Sequence, residues 1–173
     1  MLVVEHILRD IIGQMPTITV NGLDSTIKFH WGSERELNAY LALNKENSYP
    51  LIWLTPSPEK HIEANDKRVE RNCTFIIAQR EETKDLFNDE RYIYNFDIVL
   101  NPITYWLQQA ITNSGATRLI SPQFEVYKLP NYSQSETKTK NGTIHLWDAV
   151  RVRCNVEFNN FCINTISWLN LTT

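Results

Sequence analysis

The sequence predicts an α+β protein, within the broad α/β class: one mixed, mainly antiparallel sheet, helices covering chiefly one face, and a long exposed hairpin loop. Three observations carry that expectation. In GTIHLWDAVRVRCNVEF, residues 142–158, Ile144, Leu146, Val150, Val152, Cys154, Val156 and Phe158 share one parity, while Thr143, His145, Arg151, Arg153, Asn155 and Glu157 share the other. That period of two belongs to a strand with one face on a core and the other facing water or a partner. Residues 2–13 and 102–114 repeat apolar side chains at helical spacing instead. Apolar runs at 51–54 and 73–79 supply further strands. With 173 residues and 42% hydrophobic content the chain suffices for one well-formed core. A single domain over 1–173 is expected, with extended polar loops near 59–71 and 131–142.

The elements follow in order. Val4, Ile7, Leu8, Ile11 and Ile12 make residues 2–13 an amphipathic helix closing at Gly13, with Pro16 beyond it. Residues 17–20 and 25–31 read as two strands of a hairpin across an Asn21-Gly22 turn signal, with a loop longer than two residues. Ser33 to Glu36 has the S-x-x-E form of a capping box, opening a helix over about 34–46. Leu51 to Leu54 is a buried strand. Glu59 to Arg71 is too polar to bury much, and Cys73 to Gln79 is a central strand. Residues 83–90 suit a short helix or turn, and 95–101 an extended piece or a turn into the next helix. That helix starts at Asn101-Pro102, with Asn as N-cap and Pro in the first position, and Gly115 stands where a cap ends it. Phe124 to Leu129 is a strand, and Asn131 to Gly142 the exposed loop joining it to the alternating strand. The alternation breaks at Trp147 and Asp148. An unbroken strand over 142–158 would span about 55 Å at roughly 3.3 Å per residue, so a bend or bulge is expected near Asp148. The segment 161–171 is apolar enough to pack as a last strand or helix.

Composition and motifs bound the chemistry. With 20 Asp and Glu against 17 Lys and Arg, a net charge of −3 and a pI near 5.8, nothing global favours nucleic-acid binding. Cys73, Cys154 and Cys162 lack CxxC spacing and are expected to be reduced packing thiols. The opening residues include acidic side chains and no basic leader, and no apolar run reaches about 18 residues, so neither a signal peptide nor a membrane span is expected. His6, His30, His61 and His145 are dispersed and read as structural; His6 and Asp10, four apart, are too few ligands for a metal. There is no GxGxxG, P-loop or GxSxG. Asp97 and Asp148 invite pairing as acid and base, but they read better as shaping a junction and a bend. No catalytic residue, cofactor or metal is expected.

The segments YPLIWLTPS at 49–57, CTFIIAQRE at 73–81, NPITYWLQQAI at 101–111 and LWDAVRVRCNVEF at 146–158, in that order, resemble the tail-terminator and tail-completion (neck ring) proteins of tailed bacteriophages. The aromatic and Asn-rich composition is also similar to that of ring proteins of crAss-like phages. The resemblance implies a structural ring subunit in the virion neck or tail, made in the bacterial host cytoplasm, connecting portal to tail around the DNA conduit. It implies identical subunits as partners, twelve in preference to six, together with adjacent portal or tail ring proteins. DNA would pass without specific binding, and no membrane is involved. On that analogy the 131–142 loop and the 59–71 stretch reach neighbours. The subunit-contact candidates are Asn131, Tyr132, Lys138, Lys140, Arg151, Arg153, Lys67 and Arg68. The 59–71 insertion and the apolar final segment depart from the family pattern. The other function class is a small host-takeover binding protein or an enzyme of unrecognised type, which would favour a monomer or dimer with a concave pocket.

Overall fold

The computed structural model describes residues 2–20, 22–43, 49–62, 68–80, 88–130, 132, 147–160 and 162–168. At its centre β6 (Arg68–Arg80) and β9 (Trp147–Asn159) pair antiparallel over thirteen residues each, in unbroken register from Arg68 opposite Asn159 to Arg80 opposite Trp147. Shorter strands flank this ladder. On the β6 side lie β4 (Leu51–Leu54) and, further along, β5 (Glu59–His61); on the β9 side lie β8 (Glu125–Leu129) and β7 (Thr117–Leu119). Beyond β4 comes β3 (Lys28–Trp31), the one parallel pairing in the sheet among the described residues. The fold is α+β: a curled, mixed and mostly antiparallel seven-stranded sheet plus a two-stranded hairpin, with three α-helices of nine or more residues among the described residues.

Parity decides what each strand buries. Ile52 and Leu54, Val69, Cys73, Phe75 and Ile77, and Val150, Val152, Cys154, Val156 and Phe158 all project to one face. There they meet α1 (Val4–Ile12) through Val4, Leu8 and Ile12, and α4 (Asn101–Asn113) through Ile103, Trp106, Leu107 and Ile111. The opposite parity carries a second, smaller cluster at one end only. Leu51, Trp53, Ile76, Ala78, Trp147 and Ala149 pack under Leu37 and Leu41 of α2 (Glu34–Leu43). The capping box at the start of α2 forms as expected: Ser33 N–H donates to Glu36 Oε2 at 2.7 Å, and Glu36 N–H donates to Ser33 Oγ at 3.3 Å.

Several expectations are corrected. The break in alternation at Trp147 and Asp148 is not a bulge, since the register runs straight through both. It marks the place where α2 covers the second face, so that residues of both parities are buried from 147 to 150. The first hairpin is tighter than predicted. β1 (Ile18–Val20) pairs with β2 (Leu23–Ser25), Val20 opposite Leu23, while 28–31 leaves to join the main sheet. The polar stretch 59–71 is partly strand, and it buries Val69 and Arg71.

Ahead of α4 the chain is helical rather than extended. α3 (Asn88–Arg91) runs into a π-helix, Tyr92–Leu100, which continues into α4. Asn101 is therefore not an N-cap: its backbone is helical, and its N–H donates to Phe96 O five residues back. Pro102 sits where five-residue hydrogen bonding gives way to four-residue bonding. Residues 162–168 are neither strand nor helix, yet Ile166 is buried with Ile11, Ala110 and Ala116, and its N–H donates to Gln14 Oε1.

Candidate functional site

The expected contact residues divide by strand. Arg151 and Arg153 stand on the odd parity of β9 and Arg68 on the matching parity of β6, so they share the face that α2 leaves uncovered. Tyr132 lies beside them because its N–H donates to Trp147 O, one hydrogen bond beyond the β8–β9 pairing that ends at Leu129. Asn131, Lys138, Lys140 and Lys67 lie outside the described residues.

The charges on this face are matched across strands. Glu70 and Glu157 are direct register partners, a repulsive pairing. It is relieved by Lys60 at 3.3 Å from Glu70 and by Arg68 at 3.7 Å from Glu157. Arg151 donates to the Tyr132 hydroxyl at 2.8 Å and lies 3.7 Å from Glu34 of α2. Arg153 stands opposite Glu125, with its guanidinium 5.9 Å from the Tyr127 ring centre. Surface pairs like these contribute at most about 1 kcal/mol each, so their effect lies in orientation more than stability. The described face is an alternating polar surface, not a basic track for phosphates.

A second site went unnoticed in the sequence. Arg71 stands on the core parity of β6 and is only 4% exposed. It is held by Glu5 of α1 at 2.6 Å, Glu59 of β5 at 3.0 Å, the Ser57 hydroxyl at 2.9 Å and Thr55 O at 3.2 Å. Burial tends to raise the Glu5 pKa, but the hydrogen bond and charge of Arg71 outweigh it and hold Glu5 below the ordinary carboxylate value. The group lines a cleft of about 200 Å³ whose other walls include Trp31, Leu54 and Pro56. The sequence signal was an arginine sharing the parity of Val69, Cys73 and Phe75, which marks a charge on a buried face.

Other titratable groups singled out in the sequence make contacts within the fold. Asp148 is fully buried, accepts a hydrogen bond from Asn95 Nδ2 at 2.8 Å and lies 3.5 Å from Arg91 Nε. Asp97 is exposed and accepts from Asn101 Nδ2, so the two carboxylates serve different networks. His30 meets the Tyr40 hydroxyl at 2.9 Å; burial, and then the nearby Lys28 charge, lower its pKa. Asp10 accepts from Arg9. Among the described residues no three His, Cys, Asp or Glu side chains are grouped to hold a metal ion, and no helix is long and apolar enough to cross a membrane. No protein-family model matches the chain, and no curated protein sequence matches it significantly.

Proposed function

We propose that this protein is a non-enzymatic structural ring subunit of a phage neck or tail, in which identical copies contact one another head to tail and meet adjacent portal or tail ring proteins. The observation that carries the reading is the placement of two shorter strand pairs, β8 with β9 and β5 with β6, at opposite ends of the central ladder. Leu129 of β8 pairs with Ala149 near the Trp147 end, and His61 of β5 pairs with Val69 near the Asn159 end. Thirteen paired residues at roughly 3.3 Å put these ends about 40 Å apart. A body with a separate antiparallel strand pair at each end of one long ladder suits a heterologous interface, and such an interface closes into a ring when the rotation per copy divides a full turn. The charge-alternating face between these strand pairs suits a polar subunit contact. It also suits a conduit through which DNA slides without being gripped, because each phosphate neutralised by Lys or Arg adds attraction. By resemblance to neck proteins, a twelve-copy ring in the virion is favoured over six.

Native mass spectrometry and negative-stain microscopy of the purified protein test the reading. Closed rings are expected, of about twelve copies. A monomer persisting at high concentration and in the presence of candidate portal and tail proteins would overturn it, and would favour a small binding protein acting through the Arg71 cleft.

A further inference from the structure

We infer that the cleft between α1 and the ends of β3, β4 and β5 is a receptor for an organic cation, a guanidinium or primary ammonium group carried on an apolar stem. The charge count is the first reason. Two carboxylates, Glu5 and Glu59, face one guanidinium, so the lining keeps a net negative charge after Arg71 has been satisfied. Arg71 contacts only the Oε1 atom of each. Glu5 Oε2 has no side-chain partner among the described residues, and Glu59 Oε2 has His61 Nε2 only at 3.9 Å. Both carboxylates therefore keep acceptor capacity at the cleft.

Arg71 itself is committed. Its Nε donates to Ser57, Nη1 to both glutamates and Nη2 to Thr55 O. An incoming anion would find these donors occupied and the carboxylates repulsive, which excludes phosphate or carboxylate ligands. The same bonds preorganise the acceptors, since a 4%-exposed guanidinium fixes both glutamates from behind.

The apolar walls select the rest of the ligand. Trp31 is 44% exposed, braced by Phe29 at 5.8 Å and by the edge of His6 at 6.4 Å between ring centres. A half-exposed indole beside carboxylates attracts a cation through its ring as well as through charge, and guanidinium groups stack on such rings. Leu54 and Pro56 complete a surface for methylene groups. A bare metal ion gains nothing from these walls and finds too few oxygen ligands. An arginine or lysine side chain, from a second copy or from another protein, has both features.

The inference stands apart from the ring reading, because the first measurement uses dispersed protein. Nitrogen-labelled protein is titrated with n-butylguanidinium or n-butylammonium, with butyrate and sodium chloride as controls at equal ionic strength. The Trp31 indole signal, assigned by its loss in Trp31→Phe, should shift saturably with the cations and not with the controls. Glu59→Gln keeps an oxygen for Arg71 and removes a charge; it should weaken binding about tenfold while the spectrum stays folded. Glu59→Asp, which restores the charge, should recover part of the affinity. No saturable shift, equal shifts with butyrate, or unchanged affinity in a folded Glu59→Gln would overturn the site. Sedimentation in n-butylguanidinium then separates the sources. Dissociation of oligomers by the probe, but not by salt, assigns the cation to a second copy; intact oligomers that still bind the probe assign it to another partner.

Discussion

Cys73 and Cys154 stand directly opposite each other in the β6–β9 ladder, both buried and both free thiols. Burial pushes the Cys73 thiol up to about 12, and burial together with the neighbouring Cys73 raises Cys154 still further. The nucleophile is the thiolate, so neither should react while the chain is folded. Cys162 is exposed. Native alkylation near pH 8, followed by mass analysis, should add one label at Cys162, and labelling in denaturant should add the other two. Rapid native modification of Cys73 would show that the ladder opens far more readily than its burial implies.

Replacing Arg71 with Met should destabilise the fold by about 3 kcal/mol, near the low end for breaking a buried ion pair because both glutamates keep some access to water. Denaturant unfolding measures it. The same pairing has a pH signature. The folded-state pKa of Glu5 lies below its ordinary value of 4.5, so its contribution is full above that value and is lost as pH falls through the depressed folded one. Glu5→Gln should flatten the acid limb of the stability curve relative to wild type.

Trp106 packs beneath the sheet at 7% exposure, beside Leu107 and Ile111, both fully buried. Trp106→Ala should cost about 3–5 kcal/mol through lost burial and the cavity left behind. Among the described residues its indole N–H has no hydrogen-bond partner, so Trp106→Phe should cost much less than the alanine change. Equal losses for the two variants would contradict this packing.

Gly115 follows α4 with φ of +75°, and a β-carbon there would lie 2.4 Å from Asn164 Nδ2. Gly115→Ala combines a left-handed backbone with that clash. A loss above about 1 kcal/mol in thermal or chemical unfolding is expected, and Asn164→Gly in the same chain should recover part of it. A neutral Gly115→Ala would mean that the 162–168 segment is not seated as described.

For the proposed ring, deleting residues 133–140 should leave a folded protein that fails to enter particles. Isolated protein should also bind duplex DNA negligibly at physiological salt. A dissociation constant below about 1 μM, tighter than most non-specific binders, would argue against a passive conduit.

Local signals were legible where one physical rule acts alone. Period-two spacing located β9, helical spacing located α1 and α4, and the serine–glutamate pair located the start of α2. Where two rules competed, the reading failed. Asn101-Pro102 looked like a helix start, because local sequence does not reveal that a π-helix can deliver the chain already helical. Asp148 looked like a bend because its partners, Asn95 and Arg91, come from a distant segment. The Arg71 cleft assembles residues from α1, β5 and the ends of β3 and β4, and no short motif encodes it. The polar face of β9 was visible as an alternation, but the opposition of Glu70 and Glu157 needed the register.

The long pairing of β6 with β9 also sets an order of events during synthesis. β9 is the common neighbour of β6, β7 and β8, and all three precede it in the chain. A nascent chain released as far as β8 therefore holds the apolar faces of these strands, and both helices that cover them, without the strand that unites them. Bringing β9 back to β6 closes a loop of many tens of residues, a topology that folds slowly. Until then the unpaired margin of β6, with Phe75 and Ile77 beside it, is open to other chains, so yield should depend on translation rate, temperature and chaperone supply more steeply than the stability of the finished protein would suggest.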